Sequence, residues 1–166
     1  MVAPFEKKKV YKGALSYGLG TCGYDVRLGS RLVMWYSGIV ADPCMDVLPN
    51  KGIEIDIQSD GFILDPGHFV LATTIEKIDL PVDIEGSVKD KSTLARLGLA
   101  VQNTVLEPGW RGEITLELSN HGPHKIVLRE GMPVAQVQFR KITIPEVPYS
   151  GRYQDQEGVT LAKRVA

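Results

Sequence analysis

Apolar and polar residues alternate in short bursts along most of this chain. Ile53, Ile55 and Ile57 alternate with Glu54 and Asp56, and Ile114, Leu116 and Leu118 alternate with Thr115 and Glu117. A period of two sends one set of side chains to a core and the other away from it, the mark of a strand with one buried face. Val26 and Leu28, on either side of Arg27, predict a strand entered from the glycine-rich loop at 16–23, with 31–40 as the returning strand. Residues 62–64, 69–74, 84–88, 99–101, 126–128 and 134–139 are further short apolar runs, and 78–81 closes the segment that 69–74 begins. Turn signals fall between them at Asp42-Pro43, Pro49-Asn50-Lys51-Gly52, Asp65-Pro66-Gly67, Glu107-Pro108-Gly109-Trp110 and Glu130-Gly131-Met132-Pro133. No segment sustains a helical period. Many short strands at close spacing predict an all-β sandwich or barrel.

The stretch 91–98 departs from this pattern and reads as a very short helix between two strands. Ser92 suits the N-cap, where a hydroxyl accepts an orphan amide hydrogen bond. Gly98 suits the stop, because it takes the left-handed conformation that ends a helix. Ser92 and Arg96 then lie along one helical side. A hydroxyl, a guanidinium and a free helix start beside Lys91 form a seat for a phosphorylated ligand. Taken alone, the pattern equally describes a surface turn with a capping serine and two solvated cations. The neighbouring run 86–92 is not a phosphate-binding P-loop, since Asp90 stands where that motif needs glycine before Lys-Ser.

Length and composition narrow the class. The 166 residues make one domain, 1–166, large enough for a real core, with 145–166 as a C-terminal arm or lid. A net charge of -1 argues against a nucleic-acid partner, and no apolar run is long enough to span a membrane. No signal peptide is visible, and two cysteines, Cys22 and Cys44, are too few for a disulfide framework. A reduced, cytoplasmic protein is expected.

Candidate chemistry is sparse. Glu117 alternates away from the face of Ile114, Leu116 and Leu118, either as a solvated strand residue or as a pocket carboxylate for acid–base work. His68, His121 and His124 sit beside turns without metal-ligand spacing. Tyr24 and Trp110 read as packing residues, and Gly18, Gly20 and Gly23 as turn residues.

Three runs nevertheless carry a specific resemblance, in order along almost the whole chain. They are Lys91-Ser92-Thr93-Leu94-Ala95-Arg96-Leu97-Gly98-Leu99, the run from Leu106-Glu107-Pro108-Gly109-Trp110 to Glu117-Leu118-Ser119-Asn120, and the early Gly23-Tyr24-Asp25-Val26-Arg27. With the late Tyr153 to Leu161 segment, they make the chain resemble dCTP deaminase, in its bacterial-type branch. The resemblance implies the trimeric dUTPase-like fold, a distorted β-barrel with one or two short helices and active sites shared between subunits of a homotrimer. It implies that Glu117 is general base and acid, while Ser92 and Arg96 position water and stabilise the reacting centre. Lys91, Ser92 and Thr93 would meet phosphates, Glu107 the sugar 3′-hydroxyl, and Asn103 and Thr104 the base. Tyr149, Arg152 and Gln156 would close over the nucleotide.

The implied chemistry is hydrolytic conversion of dCTP to dUTP and ammonia. The zinc signatures of other deaminases, His-x-Glu and Pro-Cys-x-x-Cys, are absent: Val47 stands where Pro43-Cys44 would need its second cysteine. A zinc-independent reaction follows, with magnesium carried by the triphosphate and no metal ligand from the protein. Departures from the family pattern are Asp90 for glycine, Val105 for proline, and the acidic Asp155 and Glu157 in the arm, which Arg152 is expected to offset. They leave open whether a 5-substituted cytosine nucleotide is accepted. Two alternatives share the fold: a bifunctional deaminase and dUTPase that yields dUMP and pyrophosphate, and a nucleotide-binding regulator without catalysis.

Overall fold

The computed structural model describes residues 1–36, 38, 41–42, 52–102 and 104–163. Among these, the alternating pattern resolves into β1 (Val2–Ala3), β2 (Lys9–Tyr11), β3 (Leu15–Leu19), β4 (Tyr24–Met34), β5 (Ile53–Asp56), β6 (Phe62–Leu64), β7 (Phe69–Asp79) and β8 (Ile84–Asp90). The one short helix α1 (Ser92–Ala95) follows, then β9 (Leu99–Val101), β10 (Val105–Leu106), β11 (Arg111–Asn120), β12 (Ile126–Leu128) and β13 (Pro133–Lys141). The chain is all-β, as its periodicity predicts.

The main sheet runs β10-β8-β13-β4-β7-β11-β9, and β6 pairs with β12 separately. The long strand β4 curls this sheet. Its first half pairs with β13 and β3, and its second half with β7 and β5. The concave side is filled by every second residue of the central strands. Val70, Ala72, Thr74, Glu76 and Ile78 of β7 and Ile114, Leu116 and Leu118 of β11 are all at most 1% exposed. Each buried leucine or isoleucine contributes on the order of 1.5–3 kcal/mol relative to an exposed one.

Two local expectations are corrected. Residues 31–34 do not return as a new strand; they continue β4. The β4–β7 register steps from Leu28↔Thr74 to Leu32↔Ala72, so two extra residues of β4 bulge out and the chain keeps its direction. The Ser30 carbonyl, freed by the bulge, accepts a hydrogen bond from the Ile57 amide at 2.8 Å. Part of the 31–40 stretch, and the turn signals at 43–51, lie outside the described residues.

The second correction is at α1. Lys91, not Ser92, is the N-cap, and no side chain caps the helix. Ser92 is already its first helical residue. Gly98 does end the turn as expected: its φ of +96° lies in the left-handed region. Its amide bonds the Ala95 carbonyl at 3.0 Å, and its carbonyl accepts from the His121 amide at 2.8 Å.

Candidate active site

Residues Glu113, Thr115 and Glu117 stand on the face of β11 opposite its buried leucines. Two segments crowd this face. The turn at 107–110, closed by the Trp110 amide donating to the Glu107 carbonyl at 2.9 Å, brings β10 to one side. The C-terminal segment comes to the other. Between them lies a cavity of about 730 Å³, within the usual size of a small-molecule site. Thr104, Val105, Leu106, Glu107, Trp110, Ile114, Thr115 and Glu117 line it, with Trp35, Phe69 and Leu71 as an apolar wall. Trp35 and Phe69 stack with centroids 6.5 Å apart. Tyr149, Tyr153, Gln156, Thr160 and Leu161 complete the lining from the C-terminal side.

Glu117 is the partly buried carboxyl of this wall. Burial raises its pKa above the ordinary carboxylate range, against a smaller opposing effect of its own backbone. A carboxyl group whose pKa is raised in this way gives up its proton less readily than an exposed one, which suits it to accept and return a proton in turn.

The C-terminal segment is folded down onto the strand that carries Glu117. β9 pairs only with Leu118 to Asn120, which leaves the edge of β11 near Gly112 free. Gln156 forms a parallel bridge to Gly112 there. The Glu113 amide donates to the Gln156 carbonyl at 3.0 Å, and Gln156 Nε2 donates to the Glu113 carbonyl at 2.7 Å. The Trp110 indole N–H donates to the Tyr153 carbonyl at 2.9 Å, and the Tyr153 amide donates to the Tyr149 hydroxyl at 3.2 Å. Arg152 lies over the Tyr153 ring. The arm's acidic residues are offset by other cations than Arg152: Asp155 pairs with Arg111, and Glu157 with Lys77 at 3.2 Å.

Five of the expected site residues, Thr104, Glu107, Glu117, Tyr149 and Gln156, thus share one cavity. Lys91, Ser92, Thr93, Arg96 and Arg152 do not line it, and Asn103 lies outside the described residues. Ser92, Thr93 and Arg96 are exposed on α1, where Arg96 Nη1 donates to the Ser92 carbonyl at 2.8 Å. Lys91 is held from behind. Its Nζ is 2.6 Å from Asp25 Oδ2, both side chains are about 10% exposed, and Gln136 Nε2 donates to Asp25 Oδ1 at 3.0 Å. Asp90, the residue in place of a family glycine, accepts the Val101 amide at 2.7 Å and ties β8 to β9.

Sequence reasoning passed over several of these groups. Glu76 is fully buried; its two oxygens accept from Arg27 Nε at 2.7 Å and the Arg27 amide at 2.8 Å. Burial works against the Arg27 charge, but Glu76 outweighs it and holds the guanidinium pKa above its ordinary value. The signal was available, since Glu76 shares the parity of Val70, Ala72, Thr74 and Ile78. No comparable signal placed Trp35 and Phe69 at the cavity, because one follows β4, the other opens β7, and they meet only through the fold.

Solved structures resemble this architecture. A 2'-deoxycytidine 5'-triphosphate deaminase from Agrobacterium tumefaciens superposes with a TM-score of 0.61 at 24% identity, over 74% of this chain. This chain spans 40% of the length of that one. A dUTPase of Staphylococcus bacteriophage 80alpha superposes at 0.52 with 12% identity, over 93% of this chain and 97% of that one. The fold is therefore of the dUTPase-like class, and it carries a small-molecule cavity with a raised-pKa carboxyl on its wall. The family model described as dCTP deaminase-like matches residues 1–142, and the chain belongs to that family. Curated relatives named dCTP deaminase include one from Campylobacter curvus, 39% identical over 98% of this chain and 89% of its own length. Another, from Helicobacter pylori strain G27, is 39% identical over the same shares.

Proposed function

We propose that this protein deaminates dCTP to dUTP, with Glu117 as the proton-transfer group. The observation that carries the reading is Glu117 itself: a carboxyl whose pKa is raised by burial, on the wall of a cavity of small-molecule size, in a chain of this family. In the reaction, Glu117 takes a proton from water as the water oxygen bonds to C4 of the cytosine. It returns that proton to the departing amino nitrogen, so ammonia leaves, and the proton of the new C4 hydroxyl passes to N3 as the carbonyl forms. Glu107 and Thr104 hold the sugar and base from the β10 side, and Asn103 is assigned to the base with them. Gln156 and Tyr149 close from the arm, and Arg152 turns inward once the nucleotide is bound.

Ser92 and Arg96 belong to the same reading, yet they lie away from their own chain's cavity. They act from a neighbouring copy, and the assembly is a homotrimer with shared sites. Lys91 and Thr93 of that copy meet the triphosphate. Magnesium arrives on the triphosphate, whose oxygens and water satisfy most of its shell, and it neutralises phosphate charge. The absence of the zinc-deaminase signatures supports a zinc-independent step.

Incubation of purified protein with dCTP and magnesium tests this. Accumulating dUTP with stoichiometric ammonia is expected. Glu107 in the same cavity favours one alternative, in which it orients a second water at the α-phosphate. The products are then dUMP and pyrophosphate in step with ammonia, and that result replaces the simple deaminase.

A further inference from the structure

Two side chains outside the expected site residues, Glu113 and Thr115, precede Glu117 on its face of β11. After Gln156 the C-terminal segment leaves the edge of β11 and crosses this face, held there by side chains. The Gly158 amide donates to Glu113 Oε2 at 2.7 Å, and the Thr160 amide donates to Thr115 Oγ1 at 3.0 Å. Thr73 Oγ1, from β7, donates to the same Glu113 oxygen at 3.4 Å and fixes it from below. Glu113, Thr115 and Glu117 are two apart in sequence, so the segment advances along β11 at the strand's own step. The next residues, Leu161 and Ala162, reach the cavity that Glu117 lines.

Gly112 makes the crossing possible. A Cβ there would stand 2.9 Å from the Gln156 carbonyl oxygen and 3.0 Å from its nitrogen. The strand and the arm are thus fitted to each other at the bridge, and the side-chain rungs begin one residue later. Because the rungs are side chains and not backbone, they hold the arm off the sheet by one side-chain length. The cavity lies beyond the first rung, where Thr160, Leu161 and Ala162 line it together with Thr115 and Glu117.

We infer that Glu113 is a positioning residue, which with Thr115 holds residues 158–160 and so sets Thr160, Leu161 and Ala162 as the roof of the cavity that Glu117 lines. This rests on the deaminase reading only for its kinetic consequence. The structural consequence, an arm docked on β11 through Glu113 and Thr115, stands apart from it. A carboxylate accepting an amide hydrogen bond is among the stronger kinds, so Glu113 carries more of the roof than Thr115.

The test measures amide hydrogen exchange at 158–162 in the nucleotide-free protein, together with steady-state kinetics on dCTP. Glu113→Ala should speed exchange across this segment and raise KM for dCTP about tenfold, or about 1.4 kcal/mol, with a smaller effect on kcat. Glu113→Gln keeps a carbonyl acceptor and should restore most of the protection and most of the KM. Thr115→Val, a second and milder variant, should loosen exchange from residue 160 onward. Unchanged exchange in both Glu113→Ala and Thr115→Val overturns the roof. Lost protection with an unchanged KM overturns the positioning role. If even the parent protein fails to turn over dCTP, the deaminase reading falls, and the exchange difference alone decides whether Glu113 holds the arm.

Discussion

At the scale of single residues, two buried glutamates have opposite fates. Glu117 is partly buried with its pKa raised by desolvation. Its base form is needed to activate water, so activity should rise with pH through a limb displaced above the ordinary glutamate range. Glu117→Gln cannot move a proton and should lower kcat by about two to four orders of magnitude, while isothermal titration still detects dCTP binding. Half-normal turnover in that variant removes Glu117 from the mechanism. The same shift has a stability sign. A carboxyl whose folded pKa is raised supports the fold below its unfolded pKa and loses that support as pH rises through the folded value. Glu117→Gln should therefore be more stable than the parent at neutral pH, with the difference fading in acid.

Glu76 is buried too, but its charge is met by Arg27, and its role is in the fold. Glu76→Ala leaves a largely buried guanidinium without its partner and should cost about 3–5 kcal/mol in denaturant unfolding. Replacing both residues, as Arg27→Met with Glu76→Leu, should recover most of that loss. A double variant no better than the single one shows that the lost pair is not the cause.

At the scale of elements, the strands were legible because a period of two is a local property. The parity of Ile114, Leu116 and Leu118 alone sends Glu117 to the other face of β11. The bulge in β4 was not legible: 31–40 reads as a returning strand, and only pairing with β7 and β5 shows residues 31–34 continuing β4. The cap of α1 was misread for a related reason. The Asp25 pair holds Lys91 just after β8, where it takes the cap position, so the helix begins one residue earlier than a serine cap suggests. The arm reads as an extended tail, yet it is docked by Trp110, Arg111, Gly112 and Glu113. Deleting residue 149 onward should expose the cavity, raise KM for dCTP and lower kcat without changing the product. A truncated enzyme with parental kinetics would show that the arm has no part in catalysis.

At the scale of the whole molecule, the cavity gathers Glu117, Glu107 and the arm but not Ser92 or Arg96. If all act in one reaction, they come from different copies. Light scattering should then report about three times the 18.3 kDa chain mass. A sharper check mixes two inactive variants, Glu117→Gln and Ser92→Ala, through reversible dissociation. Some sites in the mixed trimers combine an intact Glu117 with an intact Ser92, and activity should return. Mixtures that stay inactive after proven subunit exchange place both residues in one chain's site.

The sequence by itself determined the strand content, the face on which Glu117 lies and the family runs, because each rests on near neighbours along the chain. Tertiary structure decided the rest. Which strands pair, where β4 bulges, that Asp25 holds Lys91, and that Glu113 meets Gly158 all depend on residues far apart in sequence. Such contacts are fixed by the packing of a curled sheet, and no local period records them.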